Sequence, residues 1–191
     1  LNSNLTVLSD ARVVESVKSG LHPMHVSLDG ATAATYQAIR VGARFERVLS
    51  NLRRLVQAKA ALSAALPELR LVTVVMRANL HELPELVLLA HRERIPALSV
   101  QHLCHDFGES SLPVQYKPMR SFVDAETLLH EDPNRVEHYF AAARILACEL
   151  DIELRLPNVK PRMHAPGTPG KSRCDWPWRG AYIRYDGKAM P

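Results

Sequence analysis

An α/β fold built on a parallel sheet is predicted by three features of this chain. Strand-like and helix-like segments alternate along most of its length, Leu69 to Met76 forms a nearly unbroken apolar run, and turn or capping residues occupy the junctions. Such a run is expected when both faces of a strand are covered, as in parallel sheets. Strand–helix–strand repetition implies right-handed crossovers with the helices outside the sheet. A closed or partly closed barrel and an open, doubly wound sheet both satisfy the pattern.

Taken in order, Leu5 to Leu8 reads as a short strand, and Ser9 is placed to cap a helix carrying Val13, Val14 and Val17 and stopped by Gly20. Met24 to Leu28 reads as the next strand, closed by the turn dipeptide Asp29-Gly30. Thr32 to Ile39 fits a short helix. A longer helix follows, with Phe45, Val48, Leu49, Leu52, Leu55 and Val56 at amphipathic spacing, and Pro67 marks its end. After the strand Leu69 to Met76, Asn79 begins a turn into a helix through Leu83, Leu86, Val87 and Ala90. Ala97 to Leu103 makes a further strand, and Cys104 to Met119 reads as a loop. Pro133 is placed to start a helix through Val136, Tyr139, Ile145 and Leu150, and Ile152 to Leu156 reads as a last strand. Prolines and glycines then crowd residues 157–173, the composition of a linker. Beyond it, residues 174–191 hold Asp186-Gly187 between two short strand-like runs, a hairpin signal. The expected division is therefore 1–156, 157–173 and 174–191.

The 191 residues suggest one domain with a short appendage, and 47% hydrophobic and 23% charged residues suit a soluble globular protein. No run approaches the roughly 20 apolar residues that cross a bilayer, and no signal sequence is evident, so no membrane partner and a cytoplasmic location are expected. The net charge of +4 is spread rather than massed, which argues against nucleic acid. Three cysteines, Cys104, Cys148 and Cys174, are too widely spaced for a disulfide framework or a zinc pair. Cys148, in an apolar helical stretch, is expected to be a core thiol. The chain starts at Leu1, close to strand-like sequence, and reads as an interior piece of a longer protein.

In parallel α/β folds ligands gather at the carboxyl ends of the strands. There the chain presents Ser27, Asp29 and Gly30, with Arg40 beyond a short helix. A hydroxyl, a carboxylate and a guanidinium together suit a ligand carrying hydroxyls and a carboxylate. Read from the residues alone, Asp29-Gly30 is better taken as a plain turn and Ser27 as a strand residue, with Arg40 in a surface ion pair as its plain alternative. His102, His105 and Asp106 form the nearest approach to a metal constellation, with too few ligands for a defined site.

The segment Met24-His25-Val26-Ser27-Leu28-Asp29-Gly30, followed by Tyr36 with Ile39-Arg40 and by Phe45, Val48 and Asn51, resembles the fourth-strand region of radical S-adenosylmethionine (SAM) enzymes. Asn2 to Ser9 resembles their third strand, with Ser3-Asn4-Leu5 in place of the usual Thr-Asn-Gly. Leu71 to Met76 with Asn79 and Glu82 resembles the fifth, and Ala97 to Leu103 the sixth. In the tail, Cys174, twelve intervening residues and Gly187, with Trp176 and Trp178 between, resemble the opening of a SPASM domain, a cysteine-rich auxiliary iron–sulfur module. The second cysteine of that pattern would fall one position past Pro191.

The resemblance implies a partial parallel (β/α) barrel, about the third to sixth strands, followed by the start of a SPASM-type hairpin. It implies that Ser27 and Arg40 hold the SAM carboxylate, that Asp29 lies near the polar groups of SAM or shapes the turn, that Leu103 packs near the adenine, and that Cys174 binds an auxiliary [4Fe–4S] cluster. In this family a Cys-x-x-x-Cys-x-x-Cys loop binds the [4Fe–4S] cluster that reductively cleaves SAM to a 5′-deoxyadenosyl radical for hydrogen abstraction, and no such loop occurs in this sequence. The resemblance thus implies an oxidoreductase in the longer protein, fed by an electron donor and acting on a peptide, protein or small-molecule substrate, with this piece inactive by itself. The alternatives are a non-catalytic α/β ligand-binding or interaction domain and an ordinary barrel enzyme.

Overall fold

In a computed structural model, residues 1–103, 117–161, 182–183 and 188–190 are described. Five parallel strands form one sheet in the order of the sequence: β1 (Asn2–Ser3), β2 (Met24–Ser27), β3 (Leu69–Val75), β4 (Ala97–His102) and β5 (Glu153–Arg155). This order never reverses. A doubly wound sheet needs a reversal to carry helices on both faces, so the architecture is the singly wound one of a partial barrel.

Between the strands run α1 (Asp10–Lys18), α2 (Ala33–Ile39), α3 (Phe45–Ala61), α4 (Leu83–Arg92), α5 (Lys117–Glu126) and α6 (Pro133–Glu149). Their starts have local causes. Ser9 Oγ accepts from the Arg12 amide at the head of α1, Thr32 Oγ1 accepts from Thr35 N–H at α2, and Asp132 accepts from Asn134 N–H beside Pro133 at α6. Gly20, just past α1, takes the left-handed conformation at φ 71°.

β3 alternates strictly: Leu69, Leu71, Thr73 and Val75 are buried, while Arg70, Val72 and Val74 are half-buried. The buried side joins Met24, Val26 and Leu98 in one core with Val13, Leu49, Leu52, Leu86 and Phe140 of the helices. The other side faces a hollow. The apolar run of β3 therefore has one covered face among the described residues, with Val72 and Val74 on the open one.

The structure corrects four sequence expectations. Leu5 to Leu8 is not a strand; β1 lies at Asn2–Ser3, and the chain then turns, with Leu5 at φ 52° and Asn4 Oδ1 accepting from Thr6 N–H. This side-chain-to-backbone bond competes with the ladder. Leu5 is still core, at 1% exposure, and Asn51 Nδ2 donates to its carbonyl at 2.7 Å. The stretch expected to be loop as far as Met119 already holds the start of α5, which buries Val123. On α6 the buried stripe is Val136, Phe140, Ala143 and Ala147, so Ile145 and Cys148 fall outside it and are exposed. Cys148 is a surface thiol.

In the tail, Tyr182–Ile183 (β6) pairs antiparallel with Ala189–Met190 (β7). Residues 104–116, with Cys104, His105 and Asp106, and residues 162–181, 184–187 and 191, with Cys174 and the expected turn at Asp186-Gly187, lie outside the described residues. No helix among the described residues is long and apolar enough to cross a membrane.

Candidate functional site at the strand ends

Beyond Ser27 the chain leaves the sheet, but β3 continues, and Asp29 closes the gap. Its Oδ1 accepts from Val74 N–H at 2.8 Å, taking the place of a further ladder partner. Its Oδ2 accepts from Arg40 Nε at 2.5 Å and lies 2.5 Å from Arg40 Nη2. Asp29 is 1% exposed, whereas the Arg40 side chain is 39% exposed. The carboxylate is thus fully engaged by protein, and it holds a guanidinium whose Nη1 remains unengaged among the described residues.

Two further polar residues lock this tip. Asn79 Nδ2 donates to the carbonyl oxygens of Asp29 and Val74, both at 3.0 Å, while its Oδ1 accepts from Met76 N–H at 2.8 Å. Thr73 Oγ1 donates to the Leu28 carbonyl at 2.7 Å. Glu82, in the 3-10 turn Leu80–Glu82, reaches across to the head of α2. It accepts from Ala31 N–H at 2.7 Å, Thr32 Oγ1 at 2.7 Å and Thr35 Oγ1 at 2.6 Å. Burial pushes its carboxyl up, but the hydrogen bonds from Thr35, Thr32 and Ala31 outweigh that and hold its pKa below the usual value. Gly30 is the one residue that fits between these parts: an added Cβ would stand 2.7 Å from Tyr36 N.

The sequence-predicted residues are therefore partly gathered. Asp29 and Arg40 are in direct contact, Ser27 lies two positions before Asp29 and lines the hollow, and Leu103, half-buried, follows β4 with its N–H bonded to the Val75 carbonyl at 3.1 Å. Cys174 lies outside the described residues. Sequence reading missed the part played by Glu82 and left Asn79 as a helix start. Asn79, between Ala78 and Leu80, carried a signal in its apolar neighbours; Glu82, between His81 and Leu83, carried none.

His102, at the end of β4, has Nε2 2.6 Å from the Asn158 carbonyl, so Nε2 carries the proton and Nδ1 is buried without a partner among the described residues. Burial lowers its pKa, against the opposing pull of that carbonyl. No group of three or more potential metal ligands occurs among the described residues.

The hollow, about 510 Å³, runs down the open face of the sheet below the tip. Val74 and Gln101 line its upper part, Ser27, Val72, Ser99 and Arg155 form one register row at its middle, and Asn2, His25, Glu68 and Arg70 lie toward its floor. Arg70 bonds Glu68 at 2.5 Å and Glu153 at 2.8 Å, and Arg155 bonds Glu153 at 2.6 Å.

No protein-family model matches the chain, and no curated protein matches it. Solved structures do. The crystal structure of Streptococcus suis SuiB aligns with a TM-score of 0.54 and 14% identity over 81% of this chain and 31% of that one. SuiB bound to S-adenosylmethionine gives 0.53 and 14% over 81% and 31%. SuiB bound to precursor peptide SuiA gives 0.52 and 15% over 83% and 32%. At such identity the likeness is one of fold, and the chain spans about a third of SuiB's length. The chain shares its fold with part of SuiB, a protein seen in complex with S-adenosylmethionine and with a precursor peptide.

Proposed function

We propose that this chain is the SAM-holding part of a radical SAM enzyme whose substrate is a peptide or protein. The observation that carries the reading is the Ser27-Leu28-Asp29-Gly30 tip, standing at the carboxyl end of a central strand with Arg40 drawn back onto it. The fold shared with SuiB, which binds SAM and a peptide, supports it.

The residues present fit the amino-acid end of SAM. Ser27 offers a hydroxyl into the hollow, and Arg40 offers Nη1 to a carboxylate while Asp29 fixes the other side of the guanidinium. Asp29 is then a positioning residue, since neither of its oxygens is left for a ligand. Leu103, at the end of β4, provides apolar surface for the adenine. When bound, SAM supplies hydrogen-abstracting chemistry through its 5′-deoxyadenosyl group, with an electron from a reduced donor.

The iron–sulfur cluster that cleaves SAM does not fit the residues present. Cys148 stands exposed on α6, and the three cysteines cannot form a Cys-x-x-x-Cys-x-x-Cys loop. No residue of this chain is assigned to it. Cys174 remains a proposed ligand of an auxiliary cluster on its sequence pattern alone.

Calorimetric titration of the chain with SAM tests the binding role, with saturable binding expected and R40A weakening it about tenfold or more, the loss of one charge-assisted bond. Anaerobic iron and sulfide analysis, with an assay for 5′-deoxyadenosine, on protein made with its neighbouring coding sequence tests the chemistry. A protein that binds SAM but yields no 5′-deoxyadenosine would favour the non-catalytic ligand-binding reading.

A further inference from the structure

Helix α4 ends in a reverse turn of the kind that usually calls for glycine. Arg94 N–H donates to the His91 carbonyl at 3.0 Å and Ile95 N–H to the Ala90 carbonyl at 2.8 Å, the paired bonds that close a helix through one left-handed residue. Here that residue is Arg94, at φ 60°. Glycine takes this conformation without steric cost, and asparagine takes it more readily than a long side chain does. Ile95 packs into the core, but the exposed Arg94 side chain makes no hydrogen bond or ion pair with another described residue. Complementing the carbonyl end of α4, the plain role for a cation there, already falls to Arg92. Backbone strain kept at a solvent-facing position is a mark of function rather than of packing.

Arg94 has company. It lines a hollow of about 270 Å³ together with Arg53 and Val56 of α3 and with Arg92 and Glu93. Glu93 is buried and is the one carboxylate among the lining residues. It accepts from Arg53 Nε at 2.7 Å, from Arg53 Nη2 at 2.6 Å and from Arg92 Nε at 3.3 Å. Among the described residues, Arg53 keeps Nη1 for a ligand, Arg92 keeps Nη1 and Nη2, and Arg94 keeps its whole guanidinium.

The charge balance selects the ligand. Three guanidiniums against one carboxylate leave two positive charges in excess. Glu46 of α3 also attracts Arg53, without a hydrogen bond. The carbonyl end of α4 offsets about half a charge. What remains suits a phosphate monoester, which carries about −1.5 to −2 at pH 7, and guanidinium forks match its oxygens. Arg94 and Val56 also border a second hollow of about 270 Å³, where Ala65, Leu69 and Pro96 supply apolar surface. The charged groups of that hollow are engaged: Lys59 Nζ donates to the Pro67 carbonyl at 2.5 Å, and Glu68 accepts from Arg70 at 2.5 Å. Together the two hollows reach the size of a small-ligand site.

We propose that this groove, between α3 and the turn from α4 into β4, binds a phosphate monoester carried on an apolar body. Arg92 and Arg94 hold the phosphate, Arg53 supports it through Nη1, and the body lies over Val56 and Pro96. The groove stands at the amino end of β4, whereas the Asp29–Arg40 tip stands at the carboxyl end of the sheet. It needs neither SAM nor the chemistry proposed above.

The probes are phenyl phosphate, inorganic phosphate and N-acetyl-phosphotyrosine amide. Each is titrated into ¹⁵N-labelled chain at pH 7 and constant ionic strength, with the arginine Nε–H signals followed by NMR. Saturable shifts of the Arg53, Arg92 and Arg94 signals are expected with phenyl phosphate, and weaker binding of inorganic phosphate, which lacks the apolar body. R94G should weaken phenyl phosphate about tenfold or more, the loss of one charge-assisted fork. Its melting temperature should stay at or above wild type, because glycine relieves the turn. That combination separates a ligand-binding arginine from a structural one. If R94G melts lower, R94N, which also tolerates the left-handed turn, should show the same loss of binding. Binding indifferent to R94G and R94N overturns the proposal, as do shifts scattered over Arg12 and Arg144 or no saturable binding at all. Equal affinity for phenyl and inorganic phosphate overturns the apolar half. Tighter binding of the phosphotyrosine probe than of phenyl phosphate assigns the site to a modified protein side chain, and the reverse order to a small ester.

Discussion

The two ends of the sheet handle charge in opposite ways. At the carboxyl end, Asp29 and Glu82 are buried at 1% and 4% exposure and take hydrogen bonds from main-chain N–H groups, a guanidinium and hydroxyls. At the amino end, Glu68, Arg70, Glu153 and Arg155 pair side chain to side chain along an open floor. A buried carboxylate with main-chain partners fixes backbone, because removing it leaves orphaned donors. An open ion-pair ladder fixes little, because water replaces each lost partner. The difference marks the carboxyl end as the place where position matters.

The largest effect is expected from Asp29→Ala, which strips the Val74 amide of its acceptor and releases Arg40. The buried pair and hydrogen bond together suggest a loss of about 2–4 kcal/mol, reduced from the fully buried case because Arg40 is partly exposed. Urea denaturation would measure it. A loss no greater than that of a floor variant would erase the contrast.

Gly30→Ala comes next, at about 1–3 kcal/mol, because the new methyl meets the backbone of Tyr36 rather than a yielding side chain. Circular dichroism melting of this variant tests the close approach of α2 to the tip.

Glu82→Gln should cost about 1–3 kcal/mol, since an amide nitrogen then faces donors. The wild-type carboxyl also sets a pH dependence. Its folded pKa is lowered from 4.5, so its stabilisation is complete above the unfolded value and is lost as pH falls through the folded one. Stability measured from pH 6 down to pH 3 should therefore fall less steeply in Glu82→Gln than in wild type.

Glu153→Gln should have the smallest effect. Glu153 is held below the usual carboxyl range by Arg70 and Arg155, but in open solvent. Its melting temperature should stay close to wild type, and any difference should shrink as salt is raised. A large, salt-insensitive loss would show the floor to be as fixed as the tip.

Much of this architecture was legible because its signals are local. Ser9, Thr32 and Asp132 each cap a helix start through a bond within four residues, and Pro133 adds its fixed φ at the first turn of α6. The periodicity of α3 marks its buried face, with Phe45, Val48, Leu49, Leu52 and Leu55 all inside. Where tertiary context decides, reading fails. Leu5 is as apolar as a strand residue, but its place is set by Asn51 from 46 positions away. On α6, apolar residues occur on more than one face, and only the packed neighbours choose Phe140 over Ile145. At the site, the Asp29–Arg40 contact was foreshadowed by a short helix between them. Glu82 was not, because its partners lie about 50 residues earlier and the sequence carries no mark of that pairing.

Asp29 touches two things at once: a guanidinium open to solvent and the amide of Val74 on the adjoining strand. Any anion that draws on Arg40 must shift electron density and geometry at this shared carboxylate, and the Val74 proton feels it directly. One main-chain amide on the next strand thus serves as a native gauge of occupancy, readable by its hydrogen-exchange rate without a label on either ligand or protein.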